Sequence, residues 1–267
     1  MSSQLSAQIS EQLQKKLLAT LKDVLSIRRF VVAYSGGLDS HVLLHALAQI
    51  KQGLSDELLA VHVNHGLSSQ AADWAAHCRH VCADLDIPFQ TFNVDATPQS
   101  GESPEEAARF ARYAEWRKLL TKDEVLLLAH HQDDQAETVL IQLLRGAGVK
   151  GLAAMPRLQK FAQGLLGRPM LNFLREEIYS YAIEHGLNWI DDPSNFDTDF
   201  DRNFLRHQAM PLLQKRWPAL NKTLTRSASH SAEADQLLSE LAEQDWLRVQ
   251  HLPQSQPAGQ VKISALL

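Results

Sequence analysis

The sequence contains little that would suit a secreted or membrane-bound protein. Its 267 residues include two cysteines, Cys78 and Cys82. Because these lie four positions apart on a predicted helix, they indicate reduced, buried thiols rather than a disulfide framework. No apolar run approaches the length of about 20 residues that a membrane-spanning helix needs, and the polar residues 1–16 are unlike a signal peptide. These absences favour a cytoplasmic protein without a membrane partner.

A general excess of positive charge is also absent. The net charge of −5 argues against a protein that binds nucleic acid over its whole surface. Two segments nevertheless have few acids: no Asp or Glu lies between Thr138 and Arg175, and residues 200–226 hold Asp201 alone. Their basic residues are Arg145, Lys150, Arg157, Lys160, Arg168, Arg175, Arg202, Arg206, Lys215, Arg216, Lys222 and Arg226. They form either a polyanion-binding face or solvated loops and helix faces.

Short apolar runs alternate with helical patterns in the first half of the chain. Strands are predicted at residues 30–34, 58–64, 89–94 and 125–129, and helices at 40–50, 70–85 and 103–120. The last of these helices has Ser103 at the cap and Pro104 at its first position. The alternation predicts βαβ crossovers and an α/β fold, with a parallel sheet and helices on both faces.

The chain changes character after Pro218. A helical pattern runs to about residue 249, a stretch rich in Pro and Gln follows, and the chain closes on the apolar residues 261–267. Since an apolar end needs a partner to cover it, we expect an incomplete helical C-terminal domain. We place the boundary between an α/β domain of residues 1–217 and a helical segment of residues 218–267.

The first motif follows the first predicted strand and consists of Ser35, Gly36, Gly37, Leu38, Asp39 and Ser40. The two glycines permit a tight turn and a close approach of the backbone to a ligand. Asp39 or Ser40 can cap the next helix. Because the amides at a helix N-terminus bind anions, the motif predicts a phosphate cradle, although it lacks the lysine of a Walker motif. A strand–turn–helix link with a capping Asp is the alternative.

The second motif lies where the fourth predicted strand ends and a helix opens, and its side chains are His130, His131, Asp133, Asp134 and Glu137. Acids in a first helical turn are ordinary capping, but two His and three carboxylates exceed what a cap needs. Such a cluster can hold Mg²⁺ against ATP phosphates. A metal-dependent phosphohydrolase is a rival interpretation, which the loop at Ser35 disfavours.

Three further groups are weaker when judged alone. His65 follows the second strand, so Ser35, His65 and His130 are expected to face one crevice, although a strand-end histidine is more often packed. Arg109 and Arg112 lie one turn apart on the third helix, where a solvated face is the alternative. The turn residues Asp192 and Asn195 precede Arg202, Asn203 and Arg206, whose arginines could meet a phosphate.

In combination these motifs resemble the ATP pyrophosphatases of the PP-loop superfamily, and among them the tRNA(Ile)-lysidine synthetases. The resemblance extends over about residues 28 to 215 and includes His62 with His65, the Gly146 to Gly151 segment and Arg168. Ser68 departs from it, because many members carry Arg there. The resemblance implies an adenine nucleotide α-hydrolase-like fold, with a catalytic ATP-binding domain in residues 1–217 and the start of a truncated tRNA-binding domain after it.

The resemblance also implies a reaction. The family adenylates the C2 oxygen of the wobble cytidine of tRNA(Ile) with a CAU anticodon, and the ε-amine of free L-lysine then displaces AMP to give lysidine. ATP and Mg²⁺ would take part, and a homodimer is compatible with the family. Two alternatives remain. A tRNA-thiolating enzyme would need reactive cysteines, which Cys78 and Cys82 do not resemble, and a non-catalytic nucleotide-binding module would not need so many carboxylates.

Residue roles follow from the same resemblance. The ATP-binding residues are Ser35, Gly36, Gly37, Leu38, Asp39, Ser40, His65, His130 and His131. The catalytic residues are Asp39, Asp133, Asp134, Glu137, Arg112 and Arg206, of which Asp39 and Asp133 would hold Mg²⁺ and Glu137 would handle the lysine amine. The residues that contact tRNA or another substrate are Arg109, Arg145, Lys150, Arg168, Asp192, Asn195, Arg202 and Asn203.

Overall fold

The structure, a computed structural model, describes residues 2–24, 27–50, 57–66, 70–98 and 104–250. Within these residues one sheet contains β1 (Arg29–Ala33), β2 (Glu57–Asn64), β3 (Phe89–Asn93), β4 (Glu124–Leu127), β5 (Leu158–Phe161) and β6 (Gly164–Gly167). The strand order is β3-β2-β1-β4-β6-β5, and every neighbouring pair is parallel except the antiparallel hairpin of β5 and β6. The predicted α/β class is therefore confirmed, and the four predicted strands are present as β1 to β4, whereas β5 and β6 were not predicted.

The described helices are α1 (Ser2–Leu21), α2 (Leu38–Ile50), α3 (Ala71–Asp84), α4 (Pro104–Leu119), α5 (Gln132–Leu144), α6 (Val149–Leu152), α7 (Arg175–Glu184), α8 (Asp201–Phe204), α9 (Met210–Arg216) and α10 (Leu220–Gln250). Pro104 does take the first position of α4, while Ser103 lies outside the described residues. The long helix expected after Pro218 is α10, which packs against α5 and α6. Residues 261–267 also lie outside the described part, and the division into two domains stays a prediction.

The alternation of side chains along the strands covers both faces of the sheet. Phe30 and Val32 of β1 join a core with α1, α2, α3 and α7 on one face, whereas Val31 joins Trp116 of α4 on the other. The order reverses between β1 and β4, because the chain winds outward from β1 through β2 and β3 before it returns to β4. In sheets of this kind ligands bind beyond the carboxyl ends of the strands at such a reversal.

Two histidines of α2 are buried inside this core. His41 lies beside His77, and His45 Nδ1 lies 3.0 Å from the hydroxyl of Tyr181. Burial lowers the pKa of His41 to about 4, with a further contribution from His77. Burial and the neighbouring His185 likewise lower the pKa of His45 to about 4. Both rings are therefore neutral near pH 7.

We expect this burial to make the fold sensitive to acid. Unfolded histidine takes up a proton near pH 6.5, but the folded rings resist it until about pH 4, so stability is full above pH 6.5 and is lost as the pH falls toward 4. Each such ring contributes a slope of up to about 1.4 kcal/mol per pH unit in this window. His45→Gln should flatten the dependence of the free energy of unfolding on pH, measured by urea titration between pH 7 and 4.5. The exposed His80→Gln is the control, and equal slopes in the two variants would contradict the prediction.

Candidate active site

The loop after β1 is closed by its own hydroxyl groups. Ser40 Oγ donates to the carbonyl oxygen of Gly37 at 3.0 Å and accepts from the amide of Ser35 at 3.2 Å. The amide of Gly37 donates to Ser35 Oγ at 3.3 Å. Because α2 begins at Leu38, both Asp39 and Ser40 lie in its first turn. The expectation that one of them caps α2 was wrong, and Ser35 supplies the hydroxyl that the loop amide needs.

Gly36 is a buried residue of the loop and is closely packed against other parts of the chain. Its φ is +87°, a value that favours glycine, and its carbonyl oxygen accepts from the amide of Ile190 at 2.9 Å. A Cβ on Gly36 would lie 2.6 Å from Ile190 Cδ1 and 2.9 Å from Cys78 Sγ. The segment that follows α7 therefore holds the loop from below. Sequence reasoning missed both contacts, because Ile190 and Cys78 carry no motif.

This packing predicts a difference between the two loop glycines. Gly36→Ala should lower the free energy of unfolding by about 1–3 kcal/mol, because the new methyl group meets Ile190 and the backbone is strained. Gly37→Ala should cost clearly less, since the nearest atom to its Cβ would be Ser35 Oγ at 3.5 Å and only helix-cap preference opposes it. Urea unfolding of the two variants beside the parent measures the difference. An equal loss in both would contradict the packing argument.

The loop meets the second motif through His131. This residue caps α5: its Nδ1 accepts from the amide of Asp133 at 3.2 Å, and its own amide donates to Asp134 Oδ2 at 2.9 Å. Its Nε2 lies 3.6 Å from Asp39 Oδ2 and 3.6 Å from Asp134 Oδ2. The capping interpretation was therefore correct but incomplete, because the capping histidine also joins α5 to the carboxylate of Asp39.

The two carboxylates control the charge of His131. Burial lowers its pKa, but Asp134 and Asp39 raise it more, to about 9. A second ring proton would convert Nδ1 into a donor and cost the cap bond to Asp133. The proton on Nε2, between the two carboxylates, is present in either state. His131 thus presents a donor to both acids on the reacting side of the sheet.

A largely buried arginine–carboxylate cluster extends from this point and consists of Asp134, Glu137, Arg202 and Arg206. Glu137 is 1% exposed. Its Oε2 accepts from Arg202 Nε at 2.9 Å, and its Oε1 accepts from Arg206 Nε at 2.8 Å. Asp134 Oδ1 accepts from the Nη2 atoms of Arg202 at 3.2 Å and of Arg206 at 3.0 Å. Two guanidinium groups and two carboxylates therefore balance one another.

The charges of this cluster stabilise one another. Burial alone would raise the pKa of Asp134, but His131 and Arg202 hold it well below its usual range. Burial would lower the pKa of Arg202, and Asp134 and Glu137 raise it instead. The attraction of His131 and the arginines therefore outweighs the cost of burial at Asp134, which stays ionised. The sequence indicated a function for the carboxylates of the second motif and, separately, for Arg202 and Arg206. The structure shows that these two groups are bonded to each other.

A π-helical turn, Leu205–Ala209, lies between α8 and α9 and carries Arg206. Such turns are rare and frequently mark functional sites. Arg202 lies in α8 one turn earlier, so both arginines point toward α5. Sequence reasoning gave the spacing of these arginines but contained no signal for the π-turn.

The other histidines and acids of the predicted site have these surroundings. Asp133 Oδ1 accepts from the side chain of Asn221 in α10 at 2.7 Å. Burial lowers the pKa of His130 to about 3, only partly offset by Asp134, with further lowering by Arg202 and Arg168. His65 is half-buried beyond β2, and burial followed by Arg112 lowers its pKa. The roles assigned to these residues stay predictions, and Ser68 lies outside the described residues.

The basic and turn residues predicted for tRNA differ in exposure. Arg109, Arg145 and Lys150 are exposed, and Arg145 lies 4.0 Å from Asp201. Arg168 is buried and donates from Nη1 to the carbonyl oxygen of Pro156 at 2.8 Å. Asp192 accepts from the amide of Ser194 at 2.9 Å. The structure thus places Arg168 inside the protein, apart from the exposed basic side chains.

None of the described helices is both long enough and apolar enough to cross a membrane. Within the same residues, no three His, Cys, Asp or Glu side chains are grouped so as to hold a metal ion. Asp39 Oδ1 is buried without a hydrogen-bond partner. That oxygen is therefore free to accept a ligand's proton or to coordinate a cation.

Comparison with known proteins gives three findings. A family model named ATP_bind_3 and described as a PP-loop domain matches residues 9–213. The chain is 47% identical to a tRNA(Ile)-lysidine synthase of Coxiella burnetii over 88% of its own length and 53% of the relative's. It is 50% identical to a tRNA(Ile)-lysidine synthase of Pseudomonas fluorescens over 89% of its own length and 54% of the relative's. The chain thus spans about half the length of the curated relatives it matches.

One solved structure agrees in fold. A U34-tRNA thiolase from Methanococcus maripaludis, solved with its iron–sulfur cluster, superposes with a TM-score of 0.69. The match covers 85% of this chain and 80% of the thiolase chain at 20% sequence identity. At that identity the likeness concerns the fold alone.

Proposed function

This chain belongs to the PP-loop domain family of ATP-binding proteins, and from that premise we propose that it is the catalytic part of a tRNA(Ile)-lysidine synthase. It converts the wobble cytidine of tRNA(Ile) with a CAU anticodon to lysidine, with ATP and free L-lysine as the other substrates. The similarity to relatives of that name supports the proposal. A tRNA substrate also agrees with a cytoplasmic location, while a homodimer stays a prediction.

The observation that carries the proposal is the continuous link from the loop to the arginine–carboxylate cluster. Asp39, His131 and Asp134 join the loop after β1 to Glu137, Arg202 and Arg206. A phosphate cradle and a set of fixed charges thus meet at the reversal between β1 and β4. Phosphoryl and nucleotidyl transfer depend mainly on positioning and on such preorganised charge.

The reaction has two displacements that these residues would assist. In the first, the C2 oxygen of cytidine attacks the α-phosphate of ATP and pyrophosphate leaves, with the amides of the loop beside Ser35 stabilising the leaving charge. In the second, the ε-amine of lysine attacks C2, a proton leaves the amine, and AMP departs. The pyrophosphate carries more negative charge as it leaves, which suits a helix N-terminus.

Two carboxylates of this site, those of Asp39 and Asp133, are suited to hold Mg²⁺. Asp39 has a buried oxygen without a partner, and carboxylate oxygens are the ligands that Mg²⁺ prefers. Asp133 keeps one oxygen besides the one that Asn221 occupies. When bound, the ion would neutralise phosphate charge. We therefore retain Asp39 and Asp133 as the proposed Mg²⁺ ligands.

The surroundings of Glu137 do not favour a direct contact with the lysine amine. Both of its oxygens accept from guanidinium groups, so a lysine ammonium could bind there only by displacing one of them. We propose that Glu137 acts first as a positioning residue for Arg202 and Arg206. The exposed Arg109, Arg145 and Lys150 remain the proposed contacts for tRNA phosphates.

Sulfur transfer is disfavoured by the two thiols. Cys78 and Cys82 are both fully buried and not bonded to each other. Burial raises the pKa of each to about 12. Because the thiolate is the reactive form, neither cysteine is suited to accept or deliver sulfur.

Incorporation of radiolabelled lysine into unfractionated tRNA tests the proposal. We expect acid-precipitable label that depends on ATP, together with pyrophosphate release that requires tRNA and that continues beyond one equivalent per tRNA only when lysine is present. D-Lysine and a tRNA without the CAU anticodon are the controls. Many turnovers of pyrophosphate release without lysine, or no label at saturating tRNA, would contradict the proposed function.

A further inference from the structure

A phenylalanine side chain is held out in the solvent beside the active site. Phe196 is 69% exposed, and its ring stacks on His207, with ring centroids 5.4 Å apart and planes inclined by 27°. One face of the Phe196 ring is thus supported by the histidine. We call Phe196 and His207 the stacking pair.

The stacking pair is rigidly supported. His207 Nε2 donates to the carbonyl oxygen of Asn195 at 2.8 Å, which fixes the plane of the imidazole. The side chain of Asn203 donates to the carbonyl oxygens of Ser194 at 3.0 Å and Asp197 at 2.8 Å. These bonds hold the short 3₁₀ turn Pro193–Phe196, so the exposed ring has a fixed place. A large apolar side chain fixed in water suits a partner that covers it.

One helical segment, formed by α8 and the π-turn that follows it, connects the stacking pair to the reaction site. Arg202 and Arg206 point from it to Glu137, while Asn203 and His207, each one position later, hold the turn that carries Phe196. The arginines and the side chains that hold the turn of Phe196 therefore belong to one continuous helical segment, residues 201–209.

The local charge distinguishes a base from a phosphate. The acidic residues within five positions of Phe196 are Asp191, Asp192, Asp197, Asp199 and Asp201, of which all but Asp192 are exposed and Asp201 lies 4.0 Å from Arg145. A phosphate would be repelled there, whereas a base offers a flat face to the ring and amino groups to the carboxylates. Single-stranded RNA loops are commonly bound by bases stacked on aromatic side chains.

We propose that the exposed face of Phe196, supported by His207, stacks on an unpaired base of the anticodon loop next to the cytidine in the active site. This inference rests on the proposed function. The stacking pair orients the loop by the face of that base, and the exposed basic side chains bind its phosphates.

An anticodon stem–loop with 2-aminopurine at each loop purine in turn is the probe, used with the 267-residue chain. At one position the fluorescence should change on binding to the parent protein, because the emission of 2-aminopurine depends on the ring on which it stacks. Phe196→Ala should abolish that change and weaken binding of the stem–loop about tenfold or more, the range of base–aromatic stacking. Phe196→Trp should restore both. ATP affinity should be unchanged in both variants, and Phe110→Ala, at a phenylalanine that is 75% exposed on α4, is the matched control.

The dependence of binding on salt separates stacking from charge. Loss of a stacked base releases no counterions, so the slope of log K against log salt should be the same for Phe196→Ala and the parent. Parental affinity in Phe196→Ala, or a shallower slope, would overturn the inference. The inference would also be overturned if Phe196→Ala changed the molar mass measured by light scattering without changing RNA binding, because Phe196 would then contact another copy of the protein. If the parent protein makes labelled lysidine but Phe196→Ala binds the stem–loop like the parent, the stacking inference is wrong and the proposed function stands. If the parent protein stacks the base but makes no lysidine, the proposed function is wrong.

Discussion

Asp39→Asn is expected to lower pyrophosphate release by about a hundredfold to a thousandfold while leaving the fold intact, the range for loss of one preorganised charged group. The side chain of Asp39 is 35% exposed, and one of its oxygens has no hydrogen-bond partner. The substitution keeps the size of the side chain and removes the charge that faces His131 and the proposed Mg²⁺. Initial rates at saturating ATP, lysine and tRNA measure the effect.

The matched control for Asp39 is Asp73, an exposed acid in the first turn of α3. Asp73→Asn removes a carboxylate from the first turn of another helix and is worth about 0.3–1 kcal/mol of helix stability. We expect it to leave the rate of pyrophosphate release unchanged. A parental rate in folded Asp39→Asn would show that the loop assignment is wrong.

Glu137→Gln is expected to lower the free energy of unfolding by about 3–5 kcal/mol, because the loss of one carboxylate leaves two largely buried guanidinium groups with a single negative partner. Asp134 alone would then face Arg202 and Arg206. The exposed pair of Glu11 and Lys15 on α1 supplies the control, and Glu11→Gln should leave the free energy of unfolding nearly unchanged. Urea unfolding followed by circular dichroism measures both.

A double substitution separates structure from chemistry at Glu137. Glu137→Gln with Arg206→Gln should be less destabilised than the sum of the two single variants, since the second change removes one unpaired charge. If Glu137→Gln instead keeps parental stability while adenylated tRNA accumulates, Glu137 serves the lysine step and is not a positioning residue.

The sequence predicted those parts of the fold whose signals are local. The strand, turn and helix around Ser35 follow one another directly, so composition was sufficient to place them. The hairpin of β5 and β6 was missed because each strand has four residues, and β6 begins and ends with glycine. A Cβ on Gly164 would lie 2.4 Å from the carbonyl oxygen of Glu124, so only glycine fits at this position. Because glycine is unfavourable within strands, its presence weakens the pattern by which a strand is predicted.

The candidate site was predictable in its members but not in its pairing. Glu137 and Arg202 each belonged to a recognisable motif, yet they lie 65 positions apart, and no periodicity indicates that their side chains meet. The arginines were expected to face a phosphate, whereas the structure gives them two carboxylates. Pairing of this kind follows from the packing of α8 on α5, which only the assembled fold defines.

The hydrogen bond from the amide of Ile190 to the carbonyl oxygen of Gly36 has a consequence for the order of folding. The loop acquires its support about 150 residues further along the chain, so its ordering carries a large loop-closure entropy and is expected late. During synthesis the ribosome would release β1 and α2 long before the loop could bind a nucleotide. Nucleotide affinity would then report completion of the fold through Ile190, and a nascent chain ending before that residue would have the strand and helix but no ordered cradle between them.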